Sequence, residues 1–423
     1  MKHVHFAFGK AGLELLLPDG LEYTVVEGKS ALPLIAPIAE IERALDYPIG
    51  CVSLEELARG KKSAAISVCD ITRPAPNSTT LPPILERLHR GGIPVEGVTI
   101  LIATGLHREA TDAEIQTIVG AEIAVKYRIE NHDAKRLADH RWLGETKRGT
   151  PVHIDKRFLD ADLHITLGFI EQHLMLGFSG GRKLIAPGLA AQETIKVIHS
   201  PKFMREPLAT EGHMEDNPLH AELLEIASMA GHDFLLDVTL TPERQISGVF
   251  AGSPREAHAA GAAFLRNTSL EQLAGLADVV ITSAAGHPLD LTFYQAIKGI
   301  TAAQHICKEG GRILVLGECA EGAGSVEFAR KLEAYAGHQE YLDEIRDAAV
   351  EVDQWQLEKL ALVGLKHDIL FYAPGVTAKQ IGTLGERYFA NIDAAVAAAL
   401  EGLPRGSQVA LVPEGPYVFA RVS

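Results

Sequence analysis

What the chain lacks narrows it first. Its four cysteines, Cys51, Cys69, Cys307 and Cys319, show no CxxC spacing in 423 residues. That argues for a reduced, cytoplasmic protein rather than a disulfide scaffold. No uninterrupted apolar stretch reaches the ~18 residues of a membrane span. The opening MKHVHFAFGK has no apolar run of the kind a signal peptide needs. A basic excess is missing too: the net charge is −15, which argues against nucleic-acid binding and favours solubility. There is no internal repeat and no low-complexity linker. A Walker A loop is absent, because Gly177-Phe-Ser-Gly-Gly-Arg-Lys183-Leu has the wrong spacing and no hydroxyl after the lysine. The first strand is not followed by GxGxxG, which counts against an NAD-dependent dehydrogenase.

What is present belongs to a folded globular chain, 47% hydrophobic and 22% charged. The length suggests two domains. Apolar runs at Ser63–Asp70, Val95–Gly105 and Asp162–Phe169 read as buried strands, with Thr80–Arg90 and Asp112–Val119 as helices between them. Helices are expected over Asn217–Ala230 and Pro254–Arg266, and strands over Phe234–Leu240 and Gln245–Phe250. A second unit begins near Leu276. Its expected strands are Asp278–Ser283, Arg312–Leu316, Asp368–Tyr372 and Val409–Pro413. Its expected helices are Phe293–Ile306, Glu327–Ala336, Asp343–Val350, Gln356–Leu362 and Asn391–Glu401. The expectation is an α/β protein: two α/β domains with mainly parallel sheets around a central cleft. The first domain is drawn over residues 1–272 and the second over 273–407, with the tail 408–423 returning to the first.

In such sheets chemistry sits on loops beyond the carboxyl ends of strands. The loop Asp70-Ile71-Thr72-Arg73-Pro74 places a carboxylate, a hydroxyl and a guanidinium at one strand end. It is either an anion site or a helix cap with an exposed arginine. Thr104-Gly-Leu-His107 follows the next strand; His107 is either a general base or a surface residue. His173 precedes a glycine turn, Gly177 to Gly181, that carries Arg182 and Lys183, with His199 downstream. Paired glycines let backbone approach a ligand closely, and a desolvated lysine can become a covalent attachment point. His173 and His199 match no short zinc pattern, so one histidine on a metal whose other ligands come from a cofactor stays open. In the second unit Tyr294 and Lys298 share a helix face at i, i+4, with Gln295 three residues before Lys298, either a carboxylate grip or an amphipathic surface. Trp355 is expected to pack.

In their order and spacing, Asp70-x-Thr-Arg-Pro, Thr104-Gly-Leu-His107, His173 with Gly177-Phe-Ser-Gly-Gly-Arg-Lys183, His199-Ser and Tyr294-Gln295-x-x-Lys298 resemble the nickel-dependent lactate racemase family, nearly end to end. The resemblance implies a nickel pincer nucleotide, in which nickel is bound to a pyridinium-3,5-bisthiocarboxylic acid mononucleotide joined covalently to Lys183. His199 would be the protein ligand to nickel, and Asp70, Ile71, Thr72 and Arg73 would line the cofactor. His107 and His173 would form the acid/base pair. Arg73, Tyr294, Gln295 and Lys298 would hold the substrate. The implied reaction is racemisation or epimerisation of a 2-hydroxy acid by reversible hydride transfer through a 2-keto acid. The implied partners are the small-molecule substrate and the cofactor-assembly enzymes, with self-association left open and neither nucleic acid nor membrane involved. The alternative is a non-catalytic member of the fold that binds a nucleotide or carries the cofactor. His287 and Leu289 stand where lactate enzymes often have tyrosine and lysine, so lactate is one option among larger 2-hydroxy acids.

Overall fold

The computed structural model describes residues 2–422. The chain divides into two compact units: Ser30–Thr268, here the middle unit, and Met1–Lys29 with Ser269–Ser423, the outer unit. The α/β class, with largely parallel sheets, is as read from the residues.

The middle unit is built on a six-stranded sheet in the order Ile246–Gly252, Phe234–Leu240, His164–Phe169, Ala64–Cys69, Val98–Ala103, Arg128–Asn131. All neighbours run parallel except the edge hairpin Phe234–Leu240 with Ile246–Gly252. Every residue of Ala64–Cys69 is buried, which is why that strand reads as a continuous apolar run rather than an alternating one. The helix Asn77–Arg90 carries Leu81, Ile84, Leu85 and Leu88 onto the sheet. Strand order reverses between Ala64–Cys69 and His164–Phe169, because the chain leaves the first toward Val98–Ala103 on the opposite side. Loops at the carboxyl ends around such a reversal form the usual ligand crevice of open α/β sheets.

The outer unit is also built on a six-stranded sheet, all parallel: Tyr388–Phe389, Asp368–Tyr372, Cys307–Leu316, Ala277–Ser283, Gln408–Val412, Glu22–Val25. Here the structure differs from the sequence-based division. The tail strand Gln408–Val412 pairs with Ala277–Ser283 and with Glu22–Val25. Both termini therefore belong to the outer unit, and the tail does not return to the unit that carries Lys183. The physical cause is long-range strand pairing that no local pattern announces. Two helices also differ. The helix expected over 343–350 is instead His338–Glu344, and the one over 293–306 is two short helices, Phe293–Ala296 and Lys298–Ala303. Ile297 between them keeps helical angles. At Gly299 a side chain would meet the Ser283 carbonyl at 2.8 Å, so only glycine lets this helix lie so close to its strand.

Candidate active site

Three loops of the middle unit converge. The first follows Ala64–Cys69 and carries Asp70, which is 5% exposed. Its Oδ2 accepts a hydrogen bond from His107 Nδ1 at 2.7 Å, and its Oδ1 accepts from the Thr72 hydroxyl at 2.7 Å. Burial pushes the Asp70 carboxyl up, but the bond and charge of His107, the bond from Thr72 and the charge of Arg73 outweigh it. The carboxyl is held below its ordinary value. The carboxylate can only accept, so the His107 proton lies on Nδ1 and the lone pair on Nε2. That is the arrangement of a general base oriented by an acid. His107 itself is half-exposed. Its amide donates to the Thr104 carbonyl at 2.9 Å, and Gly105 N–H reaches the Gly188 carbonyl at 3.1 Å. The second loop is thereby tied to the third.

The third loop leaves His164–Phe169. His173 lies in a two-residue ladder with Gly177. Burial pushes the His173 imidazole well below its ordinary value, with the charges of Lys183, Arg73, Arg182 and His199 adding to the effect. These four residues therefore lie within electrostatic reach of His173. His173 keeps some solvent contact although it is seated among cations, as a residue lining a recess does. Its Nδ1 accepts from the Met175 amide at 3.4 Å.

Lys183 sits in a single turn, Gly181–Leu184, entered through Gly180 at φ +84°. The buried Arg182 holds that turn from beneath. Its guanidinium donates to the carbonyls of Phe178 at 2.9 Å and Leu176 at 3.2 Å and meets His258 Nε2 at 2.7 Å. It is thus an internal peg, where the sequence reading left it beside Lys183 in the turn. Asp237, fully buried in the neighbouring strand, closes the other side. A side chain at Gly180 would meet its Oδ2 at 2.6 Å. Burial pushes this carboxyl up to about 7, opposed by the Gly181 amide and the Arg182 charge.

His199 caps the helix Gln192–Ile198. Its Nδ1 donates to the Ile195 carbonyl at 2.8 Å, which fixes the neutral tautomer with the lone pair on Nε2. Burial lowers this imidazole to about 4, with Ile195 opposing and Lys183 assisting. A neutral ring with its lone pair on Nε2 is the state a metal requires. Cys69 lies among the same groups. Burial pushes its thiol up to about 12, with Arg73, Asp237, Asp70 and Lys183 all acting on it, so it is no nucleophile. Ile71 is 37% exposed beside Asp70 and offers an apolar surface.

Tyr294, Gln295 and Lys298 lie in the outer unit on the two short helices after Ala277–Ser283. Gln295 Oε1 is buried without a hydrogen-bond partner among the described residues. Trp355, expected only to pack, donates its indole N–H to the Tyr294 hydroxyl at 3.2 Å.

Among the described residues no group of three His, Cys, Asp or Glu comes together as a metal site. One neutral imidazole and a nearby lysine suit a metal whose remaining donors arrive with an organic group. A bare cation would find only a fragment of a ligand set.

Residues 8–212 match the lactate racemase N-terminal domain and residues 273–420 the lactate racemase C-terminal domain. The chain belongs to the lactate racemase family. The lactate racemase of Thermoanaerobacterium thermosaccharolyticum is 32% identical over 427 residues, covering 100% of each chain. That of Lactiplantibacillus plantarum is 34% identical over 384 residues, covering 90% of each. The structure of the Thermoanaerobacterium lactate racemase apoprotein superposes with a TM-score of 0.89 at 31% identity, over 99% of this chain and 100% of that one. A Thermotoga maritima protein, 15% identical with a TM-score of 0.66 over 93% of this chain and 100% of its own, shares the fold. As a member of the lactate racemase family this chain is an isomerase, a racemase.

Proposed function

We propose that this racemase acts on a 2-hydroxy acid, lactate or a larger one, with a nickel pincer nucleotide joined to Lys183. The observation that carries the reading is the meeting of Lys183, a neutral His199 and the two imidazoles His107 and His173 in one unit. Lys183 would tether the nucleotide and His199 Nε2 would bind its nickel. Asp70, Ile71, Thr72 and Arg73 would line it. When bound, the group supplies a place to store and return a hydride.

The chain's own residues do the rest. The α-hydrogen of a 2-hydroxy acid is a poor acid beside an ionised carboxylate, so the chemistry gains from taking the hydroxyl proton instead. His107 Nε2, its ring oriented by Asp70, can accept that proton. His173 serves the opposite enantiomer, because inversion needs a proton acceptor for each face. Arg73 in the middle unit, and Gln295 and Lys298 in the outer unit with Tyr294 braced by Trp355, would each offer a group that binds a carboxylate. A non-catalytic carrier needs no such pair of bases.

No helix among the described residues is long and apolar enough to cross a membrane. All four thiols are unpaired, which supports a reducing compartment, the cytoplasm. There the cofactor-assembly enzymes would be its partners.

The test is co-expression with those enzymes, followed by metal analysis, the intact mass, and polarimetry over a panel of hydroxy acids in deuterated water. Expected are nickel, a mass adduct on Lys183, and inversion without deuterium at the α carbon. Racemisation by protein with neither nickel nor adduct, or with deuterium incorporated, would overturn the proposal.

A further inference from the structure

We propose that Asp290, in the outer unit, is the positioning residue for the carboxylate grip formed by Tyr294, Gln295 and Lys298. The inference rests on the substrate-binding role proposed for those three.

Asp290 is fully buried. Its Oδ2 accepts two backbone amides, Gly9 N–H at 2.7 Å and Glu318 N–H at 3.0 Å. Its own amide donates to the Gly286 carbonyl at 2.9 Å, and its carbonyl accepts from Cys319 N–H at 2.8 Å. One residue thus joins the hairpin turn after Lys2–Phe6, the loop after Ala277–Ser283 and the loop after Cys307–Leu316. Glu318 passes the connection on, since its carbonyl accepts from Gly375 N–H at 2.9 Å in the loop after Asp368–Tyr372. Three loops thus meet on Asp290, and a fourth is joined to them through Glu318.

Two of those loops hold non-glycine residues in the left-handed region, Ala285 at φ +66° and Cys319 at φ +53°. Such conformations persist only where the surroundings over-determine them. Asp290 supplies that constraint at Cys319 directly. The constraint then reaches the grip. From the loop Asp290 holds, the Gly322 carbonyl accepts from Phe293 N–H at 2.9 Å and the Ala323 carbonyl from Tyr294 N–H at 3.0 Å. Thr292 caps the same short helix, accepting from Gln295 N–H at 3.4 Å. The first turn of the helix that presents Tyr294 and Gln295 is therefore aimed by the loop Asp290 pins, not by its own length, which is four residues.

Among the described residues Asp290 Oδ1 is buried without a partner, so the work is done by one oxygen. Asparagine offers that oxygen and alanine does not. In the cofactor-loaded protein, Asp290→Ala is expected to raise KM for the hydroxy acid about tenfold or more, through the loss of both buried hydrogen bonds. Nickel content and the Lys183 adduct stay at the wild-type level, and kcat changes by less than about threefold. Asp290→Asn keeps KM within about threefold of wild type. A merely structural role would lower yield or kcat and leave KM alone. Should the alanine chain fail to fold, Asp290→Ser is measured in its place against the same outcomes. Equal KM values in the alanine (or serine) and asparagine variants would overturn the proposal. A wild-type chain lacking nickel and adduct would count against the function itself; a loaded one with unchanged KM in Asp290→Ala would count against Asp290 alone.

Discussion

His107 and His173 stand on loops of one sheet and are held in opposite senses. His107 gives its Nδ1 proton to a carboxylate at 2.7 Å and stays half-exposed. His173 accepts only a long hydrogen bond at Nδ1, from the Met175 amide at 3.4 Å. Around it lie Lys183, Arg73 and Arg182 instead of an acid. One ring is therefore oriented by an acid and the other is seated among cations. Two imidazoles in different surroundings divide acid and base duties without differing in chemistry. The contrast teaches that near-symmetry of reaction, D to L and back, does not demand symmetry of site.

The contrast can be broken most sharply by removing each ring. His107→Asn and His173→Asn should each lower kcat by about 10²–10⁴. Single turnovers of the loaded protein should then oxidise opposite enantiomers. If both variants keep the same enantiomer, the rings do not serve separate faces. Next in size, Asp70→Asn should cost about 10- to 100-fold in kcat, because an amide no longer selects the Nδ1 tautomer of His107. First-half oxidation by His173 should be spared, which stopped-flow measurement on each enantiomer would read.

The deep side of the site should also be the acid-sensitive one. His199 and the buried His132 are both lowered to about 4 by burial. Their unfolded forms bind a proton near 6.5, so their contribution is complete above that pH and is lost as the pH falls toward 4. Each is worth at most on the order of 3 kcal/mol. Asp237, raised to about 7, opposes them over the same window: its contribution is full below the ordinary carboxyl range and lost as pH rises through 7. Urea midpoints between pH 7 and 4 should fall, and more steeply in Asp237→Asn. A flat profile in both would refute the burial argument. The smallest effect is expected in the outer unit. Trp355→Phe removes one hydrogen bond to Tyr294 and should raise KM by about threefold or less.

The strands bearing the chemistry were legible because they are buried on both faces, so Ala64–Cys69 and His164–Phe169 stand out as apolar runs ending in polar loops. The glycine turn before Lys183 was legible for a related reason: Gly180 and Gly181 occur where packing against Asp237 and His258 leaves no room for a side chain. The orienting role of Asp70 was not, since a bond across 37 residues leaves no local trace. Asp237 did leave one, a single acid inside Phe-Leu-Leu-Asp-Val-Thr-Leu, which an apolar-run reading passes over. The placement of both termini was hidden most completely. The short strand Glu22–Val25 carries no pattern that names Gln408–Val412 as its neighbour.

That pairing has a consequence for biosynthesis. The middle unit interrupts the outer one, so a ribosome finishes Ser30–Thr268 while the outer sheet still lacks five of its six strands. At about 5–20 residues per second, Glu22–Val25 emerges roughly 20–80 s before the strand it lies beside. During that interval the nascent chain carries a finished Lys183 turn and an orphan β-segment still waiting for Gln408–Val412 to shelter it.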